Sequence, residues 1–343
     1  MPRGLLRLFT AMILVQTFPV CAQDSLQQVV AAPGDGIYSL LRRHGADLSR
    51  MDDFRKLNGP RLGEGDQLIA GSTYVLPSPV PGDSLPETKT GPEATATETL
   101  YELFGPDYAR VPERSKRLEG AVYYLISGHG GPDPGAVTRY GKGRISEDEY
   151  AYDITLRLAH YLISHGALVY VIIRDPDDGI RDQRILEMDR DEVTYPDLEI
   201  PLGQKERLEQ RVEAVNKLYR QHRGRYQRLV VTHVDSRSKG QNIDVFFYHH
   251  EKSKSGRRLA EHIHATFREN YARFQPGRTY TGTFEDRSSL YVVKNTLPAT
   301  AFIEVGNISN TRDQRRILEP DNRQALAKWI GEGLMLDFES RED

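Results

Sequence analysis

From about residue 119, apolar runs alternate with segments in which apolar residues recur every three or four positions. The apolar runs are typical of strands that are buried on both faces of a sheet. The predicted strands are AVYYLIS, ALVYVIIR, RLVVTH, DVFFYHH, SLYVVKN and ATAFIEVG, and the helical patterns occupy residues 147–164, 204–222, 256–271 and 321–336. This alternation predicts an α/β domain with a mixed, mostly parallel sheet and helices on both of its faces.

A shorter pattern precedes this domain, at residues 28–77. It predicts a strand, a Pro-Gly-Asp turn, two helices and a closing strand, which is a βααβ order. The segment resembles the LysM module, a small sugar-binding domain of cell-wall proteins. The matching stretches are Gly34-Asp35, Leu57-Asn58 and Gly71 with Tyr74–Pro77. Gly36 stands where that family usually has a hydroxyl residue, so a structural spacer remains the alternative to a sugar-binding module.

The segment between these two parts has no apolar period. Residues 78–97 are rich in Pro, Thr, Gly and acidic residues, a composition that cannot bury a core. We expect them to form a solvated, partly extended linker.

The first 22 residues have the pattern of an export signal. Arg3 and Arg7 precede an apolar stretch, and Val20-Cys21-Ala22 forms a small-residue cleavage site. A membrane anchor is the alternative, but the stretch is short compared with the roughly 20 apolar residues of a spanning helix. Because Cys21 is the only cysteine, its removal with the signal leaves no thiol for a disulfide.

Composition limits the class of protein. Of the 343 residues, 38% are hydrophobic and 28% are charged, which is typical of a soluble globular chain. The formal net charge of −3 provides no general basic field for nucleic acid.

Four residues at predicted strand ends or helix starts carry the candidate chemistry. His129 lies in SGHGGPDPGA, Glu147 opens a helix, His233 ends LVVTH and Glu304 ends AFIE. Two imidazoles and one carboxylate suffice to hold a zinc ion, and a further carboxylate can serve as a base. Taken alone, His129, Glu147 and His233 also have structural interpretations, as a polar loop histidine, a solvated first-turn acid and a buried hydrogen-bonded histidine respectively. Glu304, at the tip of an apolar strand, loses solvation, which raises its proton affinity and suits a group that takes and returns a proton.

Two acidic residues compete for the ligand position on the helix. Ser146 and Glu149 fit a capping box, in which the Ser146 hydroxyl and the Glu149 carboxylate satisfy backbone N–H groups at the helix start. This leaves Glu147 as the preferred ligand. After His233, either Asp235 or Ser236 is expected to orient the imidazole by hydrogen bonding.

These motifs together resemble the zinc-dependent N-acetylmuramoyl-L-alanine amidases (amidase type 3) of bacterial cell walls, over residues 119–337. The matching segments are SGHGGPDPGA, ISEDEYAYDITLRLA, VIIRD with RVEAVN, and LYVVKNTLPATAFIEVGNISN. The resemblance implies Zn²⁺ held by His129, Glu147 and His233, with Glu304 as the catalytic acid/base. It also implies peptidoglycan as substrate, cleavage of the bond between N-acetylmuramic acid and L-alanine, and a periplasmic or secreted protein; a protein activator stays an open question.

The sequence departs from the family pattern at two places. VTHVDS replaces the usual Ser-Ile-His-Ala-Asn, which changes the neighbours of His233. Residues 176–203 form a longer connection than usual, which we expect to be a solvated surface loop, with a substrate-selecting cleft wall or lid as the alternative.

Two other functions remain open from the sequence. One is a non-catalytic peptidoglycan-binding protein with a vestigial zinc site, and the other is a zinc peptidase that cuts within the stem peptide. The neighbouring pairs His249-His250 and His262 with His264 diverge in direction on a strand and a helix respectively, so we expect surface or packing roles for them.

Overall fold

The computed structural model describes residues 26–31, 36–44, 46, 50–63, 66, 68–77, 100–235, 244–275 and 277–341. The predicted export signal, the predicted linker at 78–97 and Ser236 lie outside these residues. In the part of the chain that is described, no helix combines the length and the apolar character that a membrane span requires.

The N-terminal unit has the predicted βααβ order. It consists of β1 (Gln28–Val30), α1 (Ile37–Arg43), α2 (Met51–Asn58) and β2 (Thr73–Val75), and the two strands pair antiparallel. Buried Asn58 joins α2 to β2, since its side-chain amide donates to the Val75 carbonyl and accepts from the Val75 N–H, both at 2.8 Å. The identification of this unit as a LysM module remains a prediction.

The second part of the chain contains the larger set of elements. In chain order they are β3 (Ala121–Ser127), β4 (Val137–Tyr140), β5 (Gly143–Ser146), α3 (Glu147–Ser164), β6 (Leu168–Val171), β7 (Ile173–Arg174), β8 (Val193–Thr194), β9 (Leu198–Glu199), α4 (Gln204–Gln221), β10 (Tyr226–Asp235), β11 (Phe246–His249), α5 (Lys254–Phe274), β12 (Phe284–Asp286), α6 (Tyr291–Asn295), β13 (Ala299–Asn307), α7 (Thr311–Leu318) and α8 (Pro320–Glu339).

A six-stranded sheet organises this part, with the strand order β12-β11-β13-β10-β3-β6. All pairs in the sheet are parallel except that of β11 with β13. The sheet is therefore mixed and mostly parallel, as the alternation of apolar runs predicted.

The sheet is buried on both faces because its central strands are apolar throughout. Side chains alternate between the faces, so that Tyr123 and Leu125 of β3 join one core and Val122 and Tyr124 join the other. Helices α3, α5, α7 and α8 cover the first face, and α4 and α6 cover the second. This confirms the prediction of helices on both faces.

The prediction of a strand in SLYVVKN is wrong, because Tyr291–Asn295 forms helix α6. Val292 and Val293 both pack into the core on the second face of the sheet, whereas adjacent strand residues would point to opposite faces. A short apolar run does not distinguish the two by periodicity alone.

The interpretation of residues 176–203 as a solvated loop is also wrong in part. Ile180, Leu186 and Glu192 are buried, and the segment contains β8 and β9. Arg181 reaches the start of α3, where its guanidinium lies 2.9 Å from the Glu149 carboxylate. The insertion is therefore packed against the domain, and its selective role stays a prediction.

Candidate metal centre

His129 lies two residues beyond the end of β3, in a loop with an unusual backbone conformation. Its φ of 65° is in the left-handed region, which non-glycine residues seldom occupy and which is found at functional sites. Arg211 of α4 holds this turn in place, because its guanidinium donates a 2.6 Å hydrogen bond to the His129 carbonyl.

Asp133 orients the His129 ring. Its Oδ2 lies 3.0 Å from His129 Nδ1 and accepts a 2.9 Å hydrogen bond from Arg207, while its Oδ1 accepts from the Gly135 N–H. Burial lowers the pKa of His129, but the contacts with Asp133 and Glu147 outweigh burial and raise that pKa to about 10. The arrangement leaves Nε2 of His129 directed at Glu147, at 3.3 Å from Oε2.

Glu147 is the first residue of α3 and is only 5% exposed, so it is not a solvated first-turn acid. Its Oε1 lies 2.8 Å from His233 Nδ1 and accepts from the Val234 N–H, and its Oε2 accepts from the Ala136 N–H. Burial alone would raise the pKa of Glu147, but the two histidines lower it below its ordinary value. The side chain is therefore an anion between two imidazoles.

The predicted capping box is wrong. The Ser146 side chain makes no capping hydrogen bond at the start of α3. Glu149 does not reach back to Ser146, since it pairs with Arg181 and accepts a hydrogen bond from the Asp189 N–H. The packed insertion provides these partners, and a sequence pattern for an isolated helix start cannot include them.

His233 lies within β10, two residues before that strand ends, rather than at its tip. Its ring stacks on Phe302 of β13, with centroids 4.6 Å apart and an interplanar angle of 16°. On the side of β3, a Cβ at Gly128 would lie 2.4 Å from the ring, so only glycine leaves room there. Burial is the main cause that lowers the pKa of His233, which favours the neutral form that binds metals.

The structure brings three of the four predicted residues together. One ligand atom from each of His129, Glu147 and His233 lies within 4.8 Å of the others. A Cβ at Gly135 would lie 2.6 Å from the His129 ring and 2.9 Å from Glu147 Oε2, so the space beside these groups depends on a second glycine. Two imidazole nitrogens and a carboxylate are a donor set that fits zinc with an open coordination position.

Glu304 is placed beside this cluster by the register of the sheet. It lies within β13, three residues before the strand ends, and is the parallel partner of His233 on β10. Partners in register point to the same face, so Glu304 shares the face of His233 and Phe302. The Glu304 carboxylate is half-buried, next to the ligand cluster rather than within it.

Three residues that the sequence did not single out hold the centre in place. Asp133 and Arg207 fix the His129 ring, and Arg211 fixes its backbone. Asp133 lies in the quoted SGHGGPDPGA motif, four residues after His129, and that spacing was the available signal. Arg211 opens the quoted segment RVEAVN, but its contact was not foreseen, and Arg207 gives no signal of its own because the loop that it contacts is distant in the sequence.

The other histidines have packing roles, as expected. His249 is buried at the end of β11. His264 bonds through Nε2 to the Gly282 carbonyl at 2.7 Å, and His262 lies 3.4 Å from Asp337.

A comparison with protein families matches residues 124–335 to the model of the N-acetylmuramoyl-L-alanine amidases, Amidase_3. The chain belongs to this family. The match covers β10, β13 and all three residues of the cluster, and it leaves the N-terminal βααβ unit outside.

Individual relatives are distant. The chain is 25% identical over 228 residues to the germination-specific N-acetylmuramoyl-L-alanine amidase of Bacillus subtilis (strain 168), which covers 66% of this chain and 83% of the relative. One similar solved structure is that of the CwlD amidase from Clostridioides difficile in complex with the GerS lipoprotein. It has 18% sequence identity and a TM-score of 0.48, and the similarity covers 64% of this chain and 99% of that one. The amidase AmiC2 of Nostoc punctiforme has 22% identity, a TM-score of 0.45 and coverage of 66% and 99% respectively.

Proposed function

We propose that this chain is an exported zinc enzyme that hydrolyses the amide bond between N-acetylmuramic acid and L-alanine in bacterial peptidoglycan. The product chemistry is the release of stem peptide from the glycan, as in cell-wall remodelling or daughter-cell separation. Membership of the amidase family supports the substrate class. The observation that carries the mechanism is the cluster of His129, Glu147 and His233 within 4.8 Å.

In this proposal His129 binds zinc through Nε2, His233 through Nδ1 and Glu147 through its carboxylate. When held by these three residues, zinc would supply a Lewis acid that activates water and polarises the substrate carbonyl. Asp133 keeps the Nδ1 side of His129 occupied, so the ring presents Nε2 to the ion. The buried carboxylate of Glu147 would offset part of the ion's charge, and the partly exposed imidazoles leave the site open to substrate.

Glu304 is the proposed general acid/base. The carboxylate accepts the proton of the attacking water and returns it to the nitrogen of the leaving amine. Its position in register with His233 supports this role, since the group is then next to the ligands without being one of them. Its half-buried position limits competition from bulk solvent.

Replacing Glu304 tests this role directly. Glu304→Ala should keep one zinc per chain and lose at least about 100-fold in turnover, because general acid–base catalysis contributes about 10² to 10⁴-fold. Glu213→Ala, at an exposed position of α4, is the matched control and should leave both quantities unchanged. Near-normal turnover of Glu304→Ala would contradict the assignment.

The substrate is tested by the masses of the products from purified peptidoglycan. We expect free stem peptides with an L-alanine amino terminus and glycan that retains its lactyl groups, with release abolished by a chelator and restored by zinc. Cuts within the stem peptide would instead indicate a peptidase, and binding without release would indicate a non-catalytic wall protein.

The N-terminal unit is proposed to be a LysM-like module that holds the chain on its insoluble substrate. Full-length Glu304→Ala protein should then co-sediment with peptidoglycan more strongly than the same variant without residues 28–77. Equal sedimentation of the two proteins would favour a structural spacer.

A further inference from the structure

A second group of carboxylates lies in the insertion, away from the candidate zinc ligands. Asp175 and Asp177 follow β7, and Asp189 and Asp191 precede β8. The two strands pair antiparallel, with Ile173 opposite Thr194, so the segments that follow β7 and precede β8 come side by side. As a result one carboxylate oxygen from each of the four aspartates lies within 4.8 Å of the others.

The four aspartates concentrate negative charge in a small volume. In the described part of the chain, no lysine, arginine or histidine forms an ion pair with any of the four aspartates. The nearby Arg181 is engaged elsewhere, since its guanidinium pairs with Glu149 and with Asp178. Four carboxylates at this separation repel one another unless a cation or protons compensate their charge.

Asp175 is the buried member of the group, with 5% of its surface exposed. Its Oδ1 is turned toward its own loop and accepts from the Asp177 and Asp178 N–H groups at 3.0 Å and 2.7 Å. Its Oδ2 is buried and has no hydrogen-bond partner, and the same holds for Oδ1 of Asp189. Burial also raises the pKa of Asp175 to about 8. A buried carboxylate oxygen without a partner needs an explanation, and a bound ion is one that would satisfy both oxygens at once.

The donor type selects the class of ion. The group offers carboxylate oxygens without histidine or cysteine, which suits a hard cation rather than zinc or copper. Calcium accepts six to eight oxygen ligands, largely carboxylates, in a flexible arrangement, whereas magnesium keeps several of its waters and is usually bound by one or two carboxylates. Four convergent carboxylates therefore suit calcium better. Asp177 and Asp191 are exposed, which leaves an entry path and room for water ligands.

We propose that Asp175, Asp177, Asp189 and Asp191 form a binding site for one Ca²⁺ ion, which fastens the two ends of the insertion together. The ion takes no part in the hydrolysis. Its effect on the candidate zinc centre is positional, because Glu192 follows Asp191 and accepts a 2.6 Å hydrogen bond from the Gly131 N–H. Gly131 belongs to the loop that carries His129.

The test is calorimetric titration of the full-length, zinc-loaded chain with CaCl₂ in the presence of Mg²⁺. We expect one saturable Ca²⁺ site per chain, and a melting temperature that rises with Ca²⁺. Asp177→Asn/Asp191→Asn should raise the Kd for Ca²⁺ by about 100-fold or more, because ligand charge sets the affinity of such sites. Both side chains are exposed, so their replacement spares the core.

Glu187→Gln/Glu199→Gln is the matched control. It removes the same charge from exposed positions of the same insertion, outside the cluster, and should bind Ca²⁺ like the wild type. Three results would each overturn the proposal. The first is no saturable uptake up to about 10 mM Ca²⁺, well above the range of extracellular calcium modules. The others are a Kd for the cluster variant within threefold of wild type, or an equal loss of Ca²⁺ affinity in the control variant. Zinc content reports the other site independently, so failure here leaves the proposed hydrolysis untouched.

Discussion

Gly128→Ala is the substitution that most directly tests how the centre is built. The new Cβ would lie 2.4 Å from Cε1 and Nδ1 of His233. Since carbon atoms in contact are about 3.5 Å apart, the imidazole must move by about 1 Å. It cannot move far toward β13, because Phe302 stacks on its other side at 4.6 Å.

A displacement of this size should reduce the catalytic rate strongly and the folding stability only moderately. Misplacement by about 1 Å costs about 100-fold in rate, and we expect at least tenfold weaker zinc binding because His233 Nδ1 is a proposed ligand. Overpacking of a core position costs about 1–3 kcal/mol of unfolding free energy, which is a fall of several degrees in melting temperature for a domain of this size.

The assay combines zinc competition with a chelator, turnover on peptidoglycan fragments and a thermal melt. Gly143→Ala is the control, because its Cβ would meet only the Tyr140 carbonyl, at 3.9 Å. If Gly128→Ala kept zinc affinity and turnover within threefold of wild type, the proposed role of His233 Nδ1 would be wrong.

Three further outcomes follow from the described contacts. Asp133→Asn removes the anion beside His129 and should weaken zinc binding about 10- to 100-fold, measured by chelator competition; an unchanged affinity would argue against the orienting role. Zinc affinity should fall about tenfold for each pH unit from 9 to 7. The ion must displace a proton from His129, whose metal-free pKa is raised to about 10 by its contacts with Asp133 and Glu147. A zinc affinity that does not change with pH would contradict this. Asp153→Asn breaks a buried ion pair with Arg157 and Arg323 and should cost about 3–5 kcal/mol in denaturant unfolding. Burial raises the pKa of Asp153, but the two arginines outweigh burial and lower that pKa to about 2. In the wild type, the stabilisation by this ion pair is therefore present above the unfolded-state pKa of about 3.9 and is lost as the pH falls toward 2. The variant should lack that loss of stability in acid.

The sequence predicted best where one local rule governed the outcome. The helix at 147–164 has the predicted bounds, and it places Glu147 at its first position. The strands that carry His233 and Glu304 were recognisable because buried parallel strands are apolar throughout. The parallel register of β10 and β13 then brings His233 and Glu304 side by side.

Features that depend on distant partners were not predictable in the same way. The four-residue spacing from His129 to Asp133 is local, but the guanidinium of Arg207 completes that contact from another element. The insertion packs against α3 partly through the contact of Arg181 with Glu149, a partner 32 positions earlier. In α6, burial of two adjacent valines on one face outweighed their preference for strands.

Helix α4 contacts both the loop that carries His129 and the segment that leads into the strand of Glu304. Arg211 donates to the His129 carbonyl, and Asn216 donates to the Asn295 carbonyl and accepts from the Leu297 N–H, just ahead of β13. The two anchors are five residues apart, a rise of about 7.5 Å along the helix axis. A shift of α4 would therefore displace the histidine loop and the approach to the glutamate strand in concert. Anyone transplanting either segment into another amidase needs to carry this helix along with it.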